Sequence, residues 1–194
     1  LLNSELVLDK HASKFIDPKN LNKRIHGITY DENGQTLITD GIQLLRIKGF
    51  PEINSAELRD LKGNKLNVVP VNFNHFFSDT VITTELNVKE TLGVCKTILA
   101  VMKVAKIEDI VNIINNEEGK LVIRFQSEVV SGNHTLVETK PINKYLSISR
   151  FIKCLSVFDG LSDKVYLKES LKYTEHVFLS IPGVDTLLMC VRKN

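Results

Sequence analysis

The chain has no tryptophan, two methionines, three cysteines and five prolines among its 194 residues. No apolar run comes near the roughly 20 residues that a membrane-spanning helix needs, so none is expected. The start, Leu1-Leu2-Asn3-Ser4, lacks the basic end and long apolar core of a signal peptide, and the missing initiator Met points to a trimmed or partly ordered amino terminus. Cys95, Cys154 and Cys190 are odd in number, without CxxC spacing, and each sits in apolar surroundings. They read as reduced, buried thiols of a cytoplasmic protein. The sequon Asn133-His134-Thr135 would matter only in a secreted chain.

Catalytic patterns are missing too. There is no GxGxxG, no GxxxxGKS or GxxxxGKT, and no GxSxG. The five histidines (His11, His26, His75, His134, His176) show neither HExxH nor His-x-His spacing, and Glu117-Glu118 lies in a polar turn. The expectation is a protein that is not an enzyme and carries no cofactor and no metal. Strong charge of either sign is absent as well: 25 basic against 23 acidic residues leave +2, too little to announce a nucleic-acid binder by bulk electrostatics.

What remains is ordinary material for a core. Hydrophobic residues make up 43%, and the 10 glycines bring the apolar share to about 48%. The length suits one domain or two small ones. Periodicity then gives the same paragraph three times, an amphipathic helix followed by strands broken at turns. In the first, Leu8, Ala12, Phe15 and Ile16 fall at helical spacing within Leu6 to Ile16, with Lys10 and Lys14 on the other side and Asp17-Pro18 as the stop. Strands are expected at Ile25 to Tyr30, Thr36 to Thr39 and Ile42 to Lys48, divided by Asp31-Glu32-Asn33-Gly34 and Asp40-Gly41.

The second copy begins with a β-branched strand at Val81 to Leu86, then Asn87 as N-cap and a helix from Val88 to Lys106 whose apolar face is Leu92, Cys95, Leu99, Met102 and Ala105. Ile107 to Asn116 fits either a helix extension or a strand. Lys120 to Glu128 and His134 to Lys140 read as a hairpin around Ser131-Gly132-Asn133. In the third copy a helix at Ser147 to Phe158 turns Ile148, Phe151, Ile152 and Leu155 inward. Strands follow at Lys164 to Lys168, His176 to Ser180 and Thr186 to Arg192, with Ile181-Pro182-Gly183 as a turn. Pro51 to Thr80, with Phe73, Phe76 and Phe77, is the least periodic stretch and reads as a connector with one or two short strands. The implied class is α+β, with helices on one face of mostly antiparallel sheets. The expected division is 1–50, a connector at 51–80, and a domain at 81–194 made of 81–140 and 141–194.

Charge is unevenly spread. Lys89, Lys96 and Lys103 recur every seven residues, which returns to within about 20° of the same helix face, and Lys106 stays near it. Val88 to Lys106 holds four lysines and one Glu, a net +3, and Asn143 to Phe158 holds Lys144, Arg150, Lys153 and no acid, again +3. The rest of the chain is therefore at −4. Such faces suit phosphate contact without base readout, and they lack the aromatic platforms of single-strand binders.

Three stretches in order resemble the bacterial sliding clamp, the β subunit of the replicative DNA polymerase, and especially its shortened phage-type relatives. Leu37-Ile38-Thr39-Asp40-Gly41-Ile42-Gln43-Leu44 is similar to the family's apolar-Ala-Thr-Asp-Gly-His-Arg-Leu turn, preceded by Ala12-Ser13-Lys14 and Leu21 to Tyr30. Ser147 to Leu155 is similar to a family helix, and Leu187-Leu188-Met189-Cys190-Val191-Arg192 to its apolar-apolar-Met-Pro-Met-Arg ending. The resemblance implies a DNA-clamp-like fold of repeated helix-plus-strands units, with helices lining a basic bore. It implies a partner-peptide pocket with one wall from Thr39, Gly41, Ile42, Gln43 and Leu44 and the other from Leu187, Met189, Cys190, Val191 and Arg192. Departures stand at Ile42-Gln43, Cys190 and Val191, where the family has His-Arg, Pro and Met.

The expectation is a phage-type or prophage-encoded processivity factor of the cytoplasm, a homo-oligomer. It would bind duplex DNA through Lys10, Lys14, Lys89, Lys96, Lys103, Arg150 and Lys153, and tether a polymerase or clamp-loader-type peptide. The alternative is a clamp-fold adaptor that binds such peptides without encircling DNA. Three units are fewer than a standard clamp chain holds.

Overall fold

The structure, a computed structural model, describes residues 2–126, 131–138 and 141–192. Helix α1 (Ser4–His11) is capped by Asn3, whose side chain accepts from the Leu6 N–H at 3.1 Å, and a 3-10 turn continues it over Ala12–Phe15. Strands β1 (Ile28–Tyr30), β2 (Gln35–Thr39), β3 (Gln43–Lys48), β4 (Glu57–Arg59) and β5 (Lys65–Leu66) follow, then a 3-10 turn at Asn74–Phe77. Strand β6 (Thr80–Asn87) runs straight into α2 (Val88–Val104). After it come β7 (Ile110–Asn115), β8 (Lys120–Gln126), β9 (Ser131–Glu138) and β10 (Asn143–Ser147), which runs into α3 (Ile148–Leu155). The chain closes with β11 (Lys164–Ser170), β12 (His176–Ile181) and β13 (Val184–Met189). This is an α+β fold in which helices pack on antiparallel sheets in repeated units.

Two compact units are formed, one from Leu1–Ser78 with Ile181–Leu187, the other from Asp79–Ser180 with Leu188–Asn194. In the first, the strand order is β5-β4-β1-β2-β3-β13, with Leu37 opposite Arg46 and Thr39 opposite Leu44 in the β2–β3 hairpin. Helix α1 packs on β3, burying Val7 and Leu8, while the following turn buries Ala12 and Phe15. The segment at 51–80 supplies β4 and β5, the two short strands its irregular pattern allowed. Its Phe77 ring stacks under the Arg46 guanidinium at 3.7 Å, and Arg46 also pairs with Asp185 at 2.7 Å. Both partners of that pair are largely buried, so loss of either strands a charge.

In the second unit β12-β11-β6 and β10-β7-β8-β9 are separate antiparallel runs, with α2 against α3 and β6, and α3 against β10. Val88, Thr91, Leu92, Cys95, Ile98 and Met102 form the buried face of α2. Ile98 thus takes the inward place expected for Leu99, and Ala105 is the C-cap. In α3 Cys154 turns inward with Ile148, Phe151 and Leu155, and Ile152 is half-buried.

The ambiguous segment 107–116 is a strand because α2 is firmly closed. Ile107 N–H bonds Met102 O at 3.1 Å and Lys106 N–H bonds Lys103 O at 3.2 Å, with Lys106 in the left-handed region at φ 55°. That is a Schellman closure, and it turns the chain out of the helix before β7. Ser131-Gly132-Asn133, expected as a turn, lies instead in β9, where Gly132 sits opposite Phe125. A Cβ at Gly132 would come within 2.7 Å of the Phe125 ring, so this glycine makes room for an aromatic rather than for a turn. The β8–β9 pairing itself is present. Residues 127–128 and 139–140, into which the expected arms extended, lie outside the described residues. Lys23–Ile25 is a 3-10 turn, so the first strand starts at Ile28 rather than Ile25.

Candidate nucleic-acid interface and peptide-binding walls

The basic stripe of α2 is a product of helix geometry and capping. Asn87 ends β6 in an extended conformation and its side chain accepts from Glu90 N–H at 2.9 Å, which fixes where the helix begins. With the core face set by Leu92, Cys95, Ile98 and Met102, the seven-residue spacing leaves Lys89, Lys96 and Lys103 exposed. None of the three is in an ion pair with a described residue. Lys106, past the C-cap, is exposed too.

Helix α3 is launched the same way from β10. Ser147 Oγ accepts from Arg150 N–H at 3.3 Å and donates to Asp109 Oδ2 at 2.7 Å, and Ser149 Oγ donates to the same carboxylate. Burial alone would raise the Asp109 carboxyl, but the Ser149 and Ser147 hydrogen bonds, with the Arg150 charge, hold it below its ordinary value. Arg150 and Lys153 are half-buried. In the first unit Lys10 and Lys14 are both exposed, on α1 and the 3-10 turn after it.

The wall expected at Thr39 to Leu44 is the β2–β3 turn. Asp40 organises it: Oδ1 accepts from Ile42 N–H at 2.9 Å and Gln43 N–H at 2.8 Å, and Oδ2 accepts from Gln43 Nε2 at 2.9 Å. Thr39 Oγ1 donates to Gln43 O at 2.6 Å and accepts from Gly41 N–H at 2.9 Å. Gly41 has φ 92°, where a side chain would be strained. Thr39, Gln43 and Leu44 are buried, while Ile42 is 41% exposed.

The other expected wall begins with Leu187, buried within β13 in the first unit, and continues in the second. There Met189 and Val191 are 38% and 37% exposed. Cys190 N–H bonds Glu175 O at 2.7 Å and Val191 N–H bonds Tyr145 O at 2.7 Å, so the chain stays pinned past the end of β13. Arg192 Nε donates to Glu175 Oε1 at 2.7 Å. Lys144 pairs with Glu169 at 3.4 Å and donates to Thr174 O. Glu175 and Tyr145 are residues that sequence reasoning missed. Their role rests on hydrogen bonds between residues 15 to 46 positions apart in the chain, with no local signal.

Of the thiols, Cys95 and Cys154 are buried and Cys190 is half-buried. Burial pushes the Cys95 thiol up to about 12, and burial first, with Glu169 and Glu175 adding to it against Lys144, pushes Cys190 up to about 11. Neither is an activated nucleophile at neutral pH. Burial, with Lys14 and Lys10 alongside, lowers His11 to about 4. Among the described residues no group of three or more His, Cys, Asp or Glu is placed to hold a metal, and no helix is long and apolar enough to cross a membrane.

The sequence matches no protein-family model and no curated protein. Solved structures are another matter. A beta clamp of Helicobacter pylori, bound to a DNA ligase peptide, superposes with a TM-score of 0.75 at 10% identity, over 98% of this chain and 64% of that one. A putative DNA polymerase III beta subunit of Eubacterium rectale gives 0.78 at 14% identity, over 100% and 65%. The sliding clamp of Bacillus subtilis gives 0.75 at 13% identity, over 98% and 63%. The chain thus spans a little under two thirds of the length of the clamps it matches, and over nearly all its own length it has the fold of the bacterial DNA polymerase III beta clamps.

Proposed function

We propose that this chain is a sliding-clamp-like processivity factor of a phage or prophage: a homo-oligomer that binds duplex DNA non-specifically and tethers a replication protein by a short peptide. In this reading it is a scaffold, not an enzyme, needs no cofactor, and works in the bacterial or phage-infected cytoplasm. The observation that carries the reading is the exposed seven-residue lysine repeat of α2, on a fold shared with clamps. Lys89, Lys96 and Lys103 supply phosphate contacts that are indifferent to base sequence, and Arg150 and Lys153 of α3, with Lys10 and Lys14, add to them. Self-association draws support from a third face of α2. Val94, Thr97 and Val101, with Phe125 and His134, line an apolar groove of about 480 Å³, and Val101 and Val104 are 40% and 85% exposed.

The peptide role takes support from the exposed aliphatic side chains Ile42, Met189 and Val191 and from the clamp that carries a ligase peptide. The test is duplex binding by wild type and by K89A/K96A/K103A over a salt series. The expected outcome is a uniform loss of affinity across sequences and a shallower salt slope, by about 0.9 for each phosphate no longer neutralised. An unchanged slope removes the DNA-binding role. The adaptor reading then gains, provided peptide binding persists.

A further inference from the structure

Within the second unit, strands β10, β7 and β8 bring three polar side chains into one row: Asn112 stands opposite Tyr145 on one side and opposite Arg124 on the other. Phe125, next along β8, turns its ring to Gly132 and the α2 groove, so Arg124 lies on the other face of the sheet. With Ile110, Phe125 and Gln126, the row lines a recess of about 210 Å³. Two of its members are held in place. Asn112 Nδ2 donates to Asn143 Oδ1 at 2.8 Å and to Lys144 O at 3.1 Å, and Tyr145 O accepts from Val191 N–H at 2.7 Å. Arg124 is exposed and has no acidic partner among the described residues. The acids nearest in sequence are Glu108, Asp109 and Glu128. Glu108 is exposed ahead of β7, Asp109 is taken up by Ser147 and Ser149, and Glu128 lies outside the described residues.

We propose that this recess binds a carboxylate, carried on a small acid or on a Glu or Asp side chain, with Arg124 as its two-point donor and the Asn112 and Gln126 amides beside it. The guanidinium is a planar fork that matches the two carboxylate oxygens. One such cation balances one carboxylate, whereas a phosphate monoester would keep surplus charge against the half-buried Asn112 and Tyr145. The recess is smaller than the roughly 300 Å³ at which drug-sized sites begin, so it suits a short acidic group, with Ile110 to cover its methylenes. Lys89, Lys96 and Lys103 have no part in it, and the site stands or falls apart from duplex binding.

The test is a titration of the ¹⁵N-labelled protein at fixed ionic strength, followed by amide shifts, with four probes: glutarate, the blocked pentapeptide Ser-Ala-Glu-Ala-Ser, the same peptide with Gln for Glu, and inorganic phosphate. Glutarate or the Glu peptide is expected to move the amides of Asn112, Arg124 and Tyr145 with a Kd of about 1 mM. The Gln peptide and phosphate should bind at least about tenfold more weakly. R124Q, an exposed change checked by thermal melting, should abolish the shifts, and R124K should restore only part of them because an ammonium lacks the fork. Tighter binding of the Glu peptide assigns the recess to an acidic side chain, and tighter binding of glutarate to a free acid; either supports the proposal. Equal binding of the Gln peptide, tighter binding of phosphate, unaltered shifts in R124Q, or no shifts with any probe overturns it. E128Q should leave the affinity unchanged. A tenfold gain in E128Q would mean that Arg124 already serves the β8–β9 turn, and the proposal would fall.

Discussion

Helices α2 and α3 leave their strands by the same device, an extended last strand residue whose side chain accepts from the third helical N–H. Asn87 does this for α2 and Ser147 for α3. Each helical window carries the same +3. The charge is held differently. On α2, Lys89, Lys96 and Lys103 stand exposed with no acidic partner among the described residues. On α3, Arg150 and Lys153 are half-buried, and Arg150 acts on Asp109 at the helix start. Equal net charge therefore does not mean equal capacity to meet phosphate: a cation already serving the fold has less to give.

The sharpest way to break that comparison is duplex binding by R150A/K153A beside K89A/K96A/K103A. The α2 variant is expected to lose the more affinity, on the order of tenfold or more at low salt, with the salt slope reduced by the share of up to about three phosphates. The α3 variant should lose less per residue removed, and some of its loss should appear as a lowered melting temperature. An equal loss per residue, with no change in melting, would equate the two helices.

The caps give the next largest effect. Asn87→Ala should cost about 1 kcal/mol, the usual value for an exposed N-cap. Ser147→Ala should cost about 2 kcal/mol, because Ser147 is 8% exposed and also donates to Asp109, whose carboxylate would lose a partner. Denaturant unfolding of both variants settles the ranking, and a costlier Asn87→Ala would reverse it.

Much of this was legible along the chain. Asn87, the length of α2, the strands flanking Asp31-Glu32-Asn33-Gly34 and the Asp40-Gly41 turn all follow from local chemistry: a capping side chain, a period of 3.6, a turn residue. What escaped depends on distant partners. Asp109 reaches Ser147 and Ser149 across 38 and 40 positions, and Glu175 reaches Arg192 across 17. Gly132 reads as a turn residue until Phe125 is seen opposite it. Gln43, polar and beside a turn, reads as a wall residue, yet its amide is buried on Asp40. Of the candidate wall, the positions were readable and the direction of each side chain was not.

Lys106 offers a smaller, sharper test on the α2 side. It occupies the left-handed C′ position where glycine is the usual residue, at φ 55°. Lys106→Gly should stabilise the protein by about 1 kcal/mol, read as a raised denaturation midpoint. It should also weaken duplex binding slightly if Lys106 belongs to the stripe. A stabilised variant with unaltered binding would confine the stripe to Lys89, Lys96 and Lys103.

The smallest expected effect lies on the α3 side and is one of pH. Asp109 is held below its ordinary value in the folded protein, with burial opposing and the Ser149 and Ser147 hydrogen bonds prevailing. A depressed carboxyl stabilises the fold at pH values above the unfolded value of about 4, and that contribution drains away as pH falls through the folded value. Because the carboxylate is partly exposed, solvent screening keeps the effect small. Melting temperatures of wild type and Asp109→Asn should differ most at pH 6 and converge as the pH drops below 4. Asn87→Ala, whose cap accepts through an amide that does not titrate, should shift the melting temperature by the same amount throughout. Parallel curves for Asp109→Asn would mean that α3 is anchored without charge, and the contrast between the two helices would then rest on exposure alone.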